Sequence, residues 1–258
     1  MSEPHDPPDR LAGSPGILAI AHRGDPVAHR ENTLPAIRAA LDAGADIVEI
    51  DVKTTADGTS VVLHDDSLQR LWGLDRDVRE MTAEEVEAVG SSPVDGAEPV
   101  VEQRIPALDQ VLRLFGGTSA AVLVDMDNGD YAAAALAAVQ RAVGEGTLRP
   151  TQVIWCGHLD GMREVRAADP DARIFLSWGE EARGGPPPDD LVETLRPEAF
   201  NPHFAYVEHG GRDWCREHHL ALSCWTVDDE GDMARLAQGG VDAMISNRIG
   251  ALITVVRA

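Results

Sequence analysis

The amino-acid sequence predicts an α/β fold, namely a single TIM (β/α)8 barrel. Close to eight pairs of a short apolar run and a helical segment succeed one another along the chain. A length of 258 residues fits one such barrel, and no shift in composition marks a domain boundary. Several apolar runs end in titratable residues, which is where barrels carry their functional groups.

The first unit has an apolar run at 17–21, typical of a buried parallel strand, and apolar residues at helical spacing over 34–41. The segment at 46–52 alternates apolar and acidic residues, and 61–63 is a short apolar run. Both are interpreted as strands or strand ends. Asp57-Gly58 lies between them and is typical of a tight turn.

A polar, irregular stretch from about 65 to 104 predicts a small insertion after the second strand. Within it, a helix is expected at 83–89, with Thr82 as N-cap and Glu85 at the capping-box position. The later units alternate regularly. Their expected strands lie at 121–126, 153–156, 172–178, 199–201, 221–227 and 243–246, and their expected helices at 107–114, 131–143, 160–168, 189–195, 211–219, 229–238 and 249–256. We therefore expect one catalytic barrel over 17–258, preceded by a flexible tail over 1–16.

The charge balance argues against one class of partner. The chain has 44 acidic and 22 basic residues, and a net charge of −22 repels a polyanionic backbone, so nucleic acid is not expected. Lys53 is the only lysine.

Neither a membrane span nor a signal-peptide core is evident, so we expect the cytoplasm and no stable membrane association. Cys156, Cys215 and Cys224 lack metal or redox spacing and are expected to be reduced and mostly buried. The oligomeric state has no signal in the sequence.

Two histidines follow apolar runs. His22 and the adjacent Arg23 come directly after the first run, and His64 closes the run at 61–63. One histidine at such a place is more often a hydrogen-bonded loop residue, but two favour a catalytic role. An imidazole and a guanidinium at a strand end suit an anionic substrate. The nearby Glu31-Asn32-Thr33 fits either a polar contact loop or a helix start, because Asn and Thr are good caps.

Four carboxylates sit at alternate positions of two expected strands: Glu49 and Asp51, then Asp125 and Asp127. Residues two apart on a strand share a face, and a parallel barrel strand has no solvated face. Carboxylates that converge at a barrel mouth repel one another unless a hard cation neutralises them. The sequence therefore predicts a site for a divalent cation, Mg²⁺ or Ca²⁺, with Mn²⁺ as a further candidate.

An ordered set of motifs over residues 17–248 resembles the glycerophosphodiester phosphodiesterase family. The motifs are His22-Arg23-Gly24, Glu31-Asn32-Thr33, Glu49-Ile50-Asp51-Val52, Asp57-Gly58, Val61-Val62-Leu63-His64-Asp65, Ile105-Pro106-Ala107-Leu108, Cys224-Trp225-Thr226-Val227 and Gly240-Val241-Asp242-Ala243-Met244-Ile245-Ser246-Asn247. The resemblance implies a metal-dependent TIM-barrel hydrolase that cleaves glycerophosphodiesters, a small-molecule substrate, to sn-glycerol 3-phosphate and an alcohol.

The resemblance also implies roles for individual residues. His22 and His64 would form the acid–base pair, Arg23 would contact the phosphate, and Glu49 and Asp51 would bind the metal. Which histidine is the acid stays open.

Two more residues are candidate substrate contacts, Glu31 and Trp225. A buried core position explains Trp225 nearly as well as the mouth of a pocket does.

Asp127 departs from the family pattern, which has Glu-x-Lys where this chain has Asp125-Met126-Asp127. Three outcomes are open. Asp127 joins the metal site, which is the outcome we favour; or Arg23 and another group take over the phosphate contact; or activity on the usual substrate is weak. Two other functions stay open: a non-catalytic barrel that binds a phosphorylated ligand, and a lyase that stops at a cyclic phosphate.

Overall fold

The structure is a computed structural model that describes residue 11 and residues 16–89, 103–179 and 185–258. Nine strands are found in this part of the chain. They are β1 (Leu18–His22), β2 (Ile47–Thr54), β3 (Ser60–Val62), β4 (Ala121–Met126), β5 (Val153–Gly157), β6 (Arg173–Trp178), β7 (Ala199–Pro202), β8 (Ala221–Cys224) and β9 (Ala243–Ser246).

Eight of these strands are parallel and close on themselves, since β1 pairs with both β2 and β9. The predicted (β/α)8 barrel is confirmed. The run at 61–63 is not a barrel strand: β3 pairs antiparallel with β2, across the turn that Gly58 makes at a φ of +80°.

The described part of the chain contains ten α-helices. They are α1 (Leu34–Ala43), α2 (Gln69–Trp72), α3 (Ala83–Ala88), α4 (Leu108–Leu112), α5 (Ala132–Gly144), α6 (Leu159–Ala168), α7 (Asp189–Leu195), α8 (Arg212–His218), α9 (Glu230–Gln238) and α10 (Ile249–Val256). All but α2 and α3 cover the outer face of the barrel. Their apolar stripes pack against the outward-facing strand residues, such as Val48, Val122 and Ile174, and form the larger of the two barrel cores.

The insertion follows the hairpin formed by β2 and β3. Its described part contains α2, a short 3-10 turn over Val78–Glu80, and α3, whose capping box from Thr82 and Glu85 forms as predicted. These elements have a small core of their own around Leu68, Trp72 and Met81. Residues 90–102 of the predicted insertion lie outside the described residues.

Most of the predicted N-terminal tail also lies outside the described residues. Leu11 is described: it is buried in the inner core of the barrel, and its N–H donates a 2.8 Å hydrogen bond to Glu198. The three cysteines are buried and unpaired, as expected. In the described part of the chain, every helix is too short or too polar to cross a bilayer.

The barrel interior changes character along the strand direction. At the amino-terminal end of the strands the inward positions are apolar, with Leu18, Ile47 and Phe175 in one core. Strand parity then puts polar residues on the same inward face at the carboxyl-terminal end. They are His22, Glu49, Asp51, Asp125, Cys156, Ser177, Asn201, Ser223 and Asn247. The apolar layers fill the barrel, and the polar end is left for function.

Candidate active site

The loop after β1 packs tightly against the start of α1. Gly24 has a φ of +84°, and a Cβ on it would lie 2.6 Å from the carbonyl carbon of Ala36, so only glycine fits. Arg23 also has a positive φ, of 58°. Its N–H donates a 2.9 Å hydrogen bond to Oε2 of Glu49, which holds this uncommon backbone conformation in place.

Three carboxylates meet at the carboxyl ends of β2 and β4. They belong to Glu49, Asp51 and Asp125, which we call the acidic group. Asp51 pairs with Asp125 in the strand register, and a carboxylate oxygen from each of the three residues lies within 4.8 Å of the others. Glu49 is 3% exposed. Gly157 makes room for the group, because a Cβ at this position would lie 2.5 Å from Oδ1 of Asp125.

The electrostatics of the acidic group fit a bound cation. Burial, together with the charges of Asp51 and Asp125, raises the pKa of Glu49 well above its ordinary value. Burial and the charge of Asp51 raise the pKa of Asp125 to about 7. These carboxylates are costly to ionise together unless positive charge lies between them. Oxygen ligands at this spacing are those that Mg²⁺, Mn²⁺ and Ca²⁺ prefer, so the donor set fits such an ion.

His22 is oriented by hydrogen bonds that run from its ring to Asn247, after β9, and on to Asp228, after β8. Its Nδ1 lies 2.8 Å from Oδ1 of Asn247, whose amide nitrogen donates a 2.7 Å hydrogen bond to Asp228. A carboxylate only accepts, so the amide oxygen of Asn247 must face His22, and Nδ1 of His22 carries the proton. Nε2 therefore points its lone pair toward the acidic group, 3.9 Å from Glu49. Burial and the neighbouring Arg23 lower the pKa of His22.

His64 has a different partner. Its Nδ1 lies 2.6 Å from Oδ1 of Asp65, and Arg70 of α2 makes two hydrogen bonds to the same carboxylate, at 2.5 and 3.0 Å. Although burial opposes it, bonding to Arg70 and His64 lowers the pKa of Asp65 to about 2. His64 thus faces an ionised carboxylate, whereas His22 faces a neutral amide.

Glu31 lies between two guanidinium groups. It accepts hydrogen bonds of 2.9 Å from Arg23 and 2.7 Å from Arg70. Nε of Arg23 also lies 3.1 Å from Asp51. The structure therefore places Glu31 where it orients Arg23, with its own oxygens already engaged by protein donors.

The rest of the Glu31-Asn32-Thr33 motif has both of the roles considered for it. Asn32 donates a 2.7 Å hydrogen bond to Oδ2 of Asp51, so it orients a member of the acidic group. Thr33 is the N-cap of α1 and accepts from the N–H of Ala36.

Asp127 is not brought into the acidic group. Its carboxylate is 59% exposed and accepts a 2.5 Å hydrogen bond from Nζ of Lys53. Lys53 also lies 3.0 Å from Asp66. Burial lowers the pKa of Lys53, but its bonds to Asp127 and Asp66 outweigh that effect and leave the pKa raised. A permanent positive charge therefore faces Asp127, and the metal-binding role that we favoured for this residue has no support from its position.

Trp225 lies just beyond β8, half-buried against the inner core of the barrel. Its Nε1–H donates a 2.9 Å hydrogen bond to the carbonyl of Asn201, and its ring meets His203 edge-on at 5.5 Å. This position at the open end of the barrel combines the two interpretations of Trp225, since one part of the ring packs and another stays accessible.

Two cavities lie at opposite ends of the barrel. A cleft of about 480 Å³ opens beside Asp125 and passes His158, Asp160 and Trp178. A larger cavity of about 1030 Å³ lies near the amino ends of β5–β7 and has none of the site residues in its lining. The smaller cleft therefore belongs to the candidate site.

Sequence reasoning missed three residues that the structure brings to the site: Lys53, Arg70 and Asp228. Arg70 belongs to the insertion, and no local pattern marks it. The spacing of Lys53 two residues after Asp51 could have placed it on the same strand face.

Comparisons with known proteins agree with this geometry. The sequence profile described as the glycerophosphoryl diester phosphodiesterase family matches residues 22–251. A glycerophosphodiester phosphodiesterase of Caldanaerobacter subterraneus is 30% identical over 247 residues, which cover 93% of this chain and 98% of the relative.

Solved structures share the fold. A glycerophosphodiester phosphodiesterase from Agrobacterium tumefaciens has a TM-score of 0.76 at 23% identity and covers 93% of this chain and 100% of its own. An Oleispira antarctica phosphodiesterase, solved in complex with the product sn-glycerol-3-phosphate, has a TM-score of 0.80 at 18% identity and covers 93% of this chain and 96% of its own. The profile match spans most of the sequence, and the chain belongs to the glycerophosphoryl diester phosphodiesterase family.

Proposed function

We propose that this chain hydrolyses glycerophosphodiesters to sn-glycerol 3-phosphate and an alcohol, with a divalent cation and two histidines. The observation that carries the proposal is the acidic group, which lies beside Arg23 and His22 at the open end of the barrel. His64 follows Leu63, whose N–H donates a hydrogen bond to the backbone carbonyl of Asp51. The family membership and the product bound by the Oleispira relative support the same substrate class.

Glu49, Asp51 and Asp125 would hold the cation. When bound, a divalent cation stabilises negative charge that develops on the phosphoryl oxygens. Arg23 adds a second positive group beside Asp51, and its side chain is oriented by Glu31. A guanidinium matches a phosphate geometrically, so Arg23 is the protein's own phosphate contact in this proposal.

The hydrogen-bond partners support a different role for each histidine. Because Nδ1 of His22 donates to a neutral amide, its Nε2 holds a lone pair that can take the proton from an attacking hydroxyl, the 2-hydroxyl of the glycerol. His64 is bonded to the Asp65 carboxylate, which orients its ring, and in this proposal it donates the proton to the leaving alcohol. Water then opens the cyclic phosphate with the proton transfers reversed.

The cleft beside Asp125 gives the leaving alcohol a place to lie. Asp127 lines this cleft, but its charge is matched by Lys53, so the repulsion that motivated a non-catalytic barrel is reduced. We therefore favour hydrolysis, and we propose the cytoplasm as the compartment, which imaging of the tagged full chain tests.

The experiment is release of glycerol 3-phosphate from glycerophosphocholine with added Mg²⁺, Mn²⁺ or Ca²⁺. We expect turnover that EDTA abolishes and that His22→Ala and His64→Ala each reduce by at least about 100-fold, the usual contribution of acid–base catalysis. His209→Ala is the matched control, because His209 is exposed and bonds only a nearby backbone carbonyl. Turnover that persists in EDTA and in His22→Ala contradicts the proposal, as does the absence of turnover with all three metals.

Phosphorus NMR of the products separates hydrolysis from the lyase alternative. A hydrolase yields glycerol 3-phosphate as the final species. Accumulation of a cyclic phosphate that the protein does not open identifies a lyase instead.

A further inference from the structure

The only lysine of the chain lies at the edge of the site in an unusual environment. The Lys53 side chain is 1% exposed, while the two carboxylates it contacts, Asp66 and Asp127, are 55% and 59% exposed. Nζ lies 2.5 Å from Asp127 and 3.0 Å from Asp66. The amine is buried between residues from separate parts of the chain, and together the three form what we call the Lys53 cluster.

The strand register explains how Lys53 reaches Asp127. Asp51 of β2 pairs with Asp125 of β4, so the residues two positions further along face each other across the same two strands. Asp127 directly follows β4, and its contact with Lys53 of β2 lies just beyond the Asp51–Asp125 pair of the acidic group.

Asp66 connects the cluster to His64, which is only two residues away. The Oδ1 atom that faces Lys53 also accepts a 3.4 Å hydrogen bond from the hydroxyl of Tyr131. The backbone carbonyl of Asp66 accepts a 2.8 Å hydrogen bond from Val78 of the insertion. Asp66 thus contacts β2 through Lys53, the turn before α5 through Tyr131, and the insertion through Val78.

Among the described residues, the segment that carries His64 has one other ion pair with the rest of the chain, that of Asp65 with Arg70. Arg70 is 48% exposed, and exposed ion pairs hold a segment weakly because water and salt screen them. The contact of Lys53 with Asp66 has a buried donor. Water and salt screen this contact less than the pair of Arg70, so its loss removes the stronger ionic hold on Asp66.

We propose that Lys53 is a positioning residue: through Asp66 it fixes the segment that carries His64 against β2 and β4. This inference rests on the proposed role of His64 as the group that protonates the leaving alcohol. Lys53 does not contact the substrate. Its effect is on the placement of the His64 ring, so its loss lowers the rate of the proton transfer more than it changes substrate binding.

Two variants of the full chain test the proposal. Lys53→Met removes the charge and keeps a long apolar side chain. Asp66→Asn replaces the ion pair with a weaker hydrogen bond to a neutral amide, while it leaves Lys53 paired with Asp127. If Lys53→Met does not fold, Asp66→Asn still decides, because its carboxylate is exposed. Arg141→Met is the matched control: it breaks an ion pair with Asp109 on the outer helices, where both side chains are exposed.

The first measurement does not depend on activity. The amides of Leu63, Leu68 and Val78 are hydrogen-bonded around the His64 segment, so their hydrogen exchange reports its opening. We expect faster exchange at these amides in Lys53→Met and Asp66→Asn and unchanged exchange in Arg141→Met. Wild-type exchange rates in a folded Asp66→Asn overturn the proposal. This readout still decides the placement role if the wild-type protein hydrolyses no glycerophosphodiester, an outcome that defeats the proposed function by itself.

The second measurement is steady-state hydrolysis of glycerophosphocholine. We expect kcat to fall about tenfold or more, with KM within about twofold, because a misplaced proton donor affects the transition state and not the ground state. A loss confined to KM, or a wild-type kcat in a folded Asp66→Asn, overturns the proposal.

Discussion

Metal binding and the protonation of Asp125 are linked, and the link predicts a pH dependence of metal affinity. A metal ligand must be deprotonated, so protons compete with the cation. With the pKa of Asp125 at about 7, roughly a tenth of these carboxyls are protonated at pH 8 and roughly nine tenths at pH 6. The apparent Kd for Mg²⁺ or Mn²⁺ is therefore expected to rise about tenfold between pH 8 and pH 6. The raised pKa of Glu49 acts in the same direction.

Calorimetric titration of the metal-free protein at pH 6, 7 and 8 checks this expectation. Asp125→Asn should bind the ion more weakly and lose most of the pH dependence. Asp160→Asn removes an exposed carboxylate from the same cleft and should keep the wild-type slope. An affinity that stays constant over this pH range in the wild type refutes the reasoning.

The same linkage has a consequence for folding stability, with a definite sign. The pKa of Asp125 is higher in the folded chain than in the unfolded chain, so its neutral form stabilises the metal-free protein and that contribution is lost as the pH rises through about 7. A shift of about 3 units corresponds to roughly 4 kcal/mol at most, shared with the neighbouring carboxylates. The lowered pKa of His22 acts in the opposite sense, so the comparison that isolates Asp125 is wild type against Asp125→Asn.

Urea unfolding in EDTA at pH 5.5 and pH 8 measures this difference. Between these pH values, the wild type should lose stability relative to Asp125→Asn, and added Mg²⁺ should restore it at pH 8. Equal pH dependence in the two proteins would show that Asp125 is not buried with a raised pKa.

Three further substitutions test single features of the site. Gly24→Ala should lower the free energy of unfolding in urea by about 3 kcal/mol or more, because strain at positive φ adds to a Cβ that would lie 2.6 Å from the backbone of α1. Gly58 has a φ of +80° with open space around its Cβ, so Gly58→Ala should cost only about 1 kcal/mol. Equal costs for the two variants would rule out the clash at Gly24. Gly157→Ala should weaken metal affinity in calorimetry, since its Cβ would lie 2.5 Å from a carboxylate oxygen of the acidic group, and wild-type affinity would contradict that placement. Asn247→Leu should lower kcat by about tenfold or more, because it removes the hydrogen bond that fixes the tautomer of His22. Nitrogen NMR spectra of this variant should show both tautomers of the His22 ring. A single tautomer, as in the wild type, would show that the Asn247 amide does not fix the tautomer.

The barrel could be predicted from sequence because its signals are local. Apolar runs alternate with helical stripes, and the residues that end the runs are polar. Glu49 and Asp51 illustrate why the acidic group was predictable as well: two carboxylates at alternate positions of a strand that is otherwise buried must share its inward face. The register between β2 and β4 then brings Asp125 beside Asp51, as the parallel barrel requires.

The partners of these residues could not be predicted, because they depend on register and on loop paths that sequence does not show. Asp127 has the same spacing from Asp125 as Asp51 has from Glu49, yet it pairs with Lys53 across the strands. Arg70 reaches Asp65 and Glu31 because the insertion folds back over the barrel end. A period-two pattern gives the face of a strand, but not which neighbour fills the space beside it.

The arrangement of charge predicts that a cation binds before the substrate. Among the described residues around the site, Arg70 is matched by Asp65 and Glu31, and Lys53 by Asp66 and Asp127. Of the described arginine and lysine side chains, only Arg23 lies within bonding distance of the acidic group, so the fully ionised group has an excess of negative charge. A phosphodiester anion approaching that excess is repelled, by about 1 kcal/mol per charge at 4 Å in water and by several times more in a partly buried site. A divalent cation bound by the acidic group would cancel this excess, and together with Arg23 it would let the site attract the phosphate. Substrate affinity should therefore depend on metal occupancy, and removal of the ion should abolish binding as well as turnover.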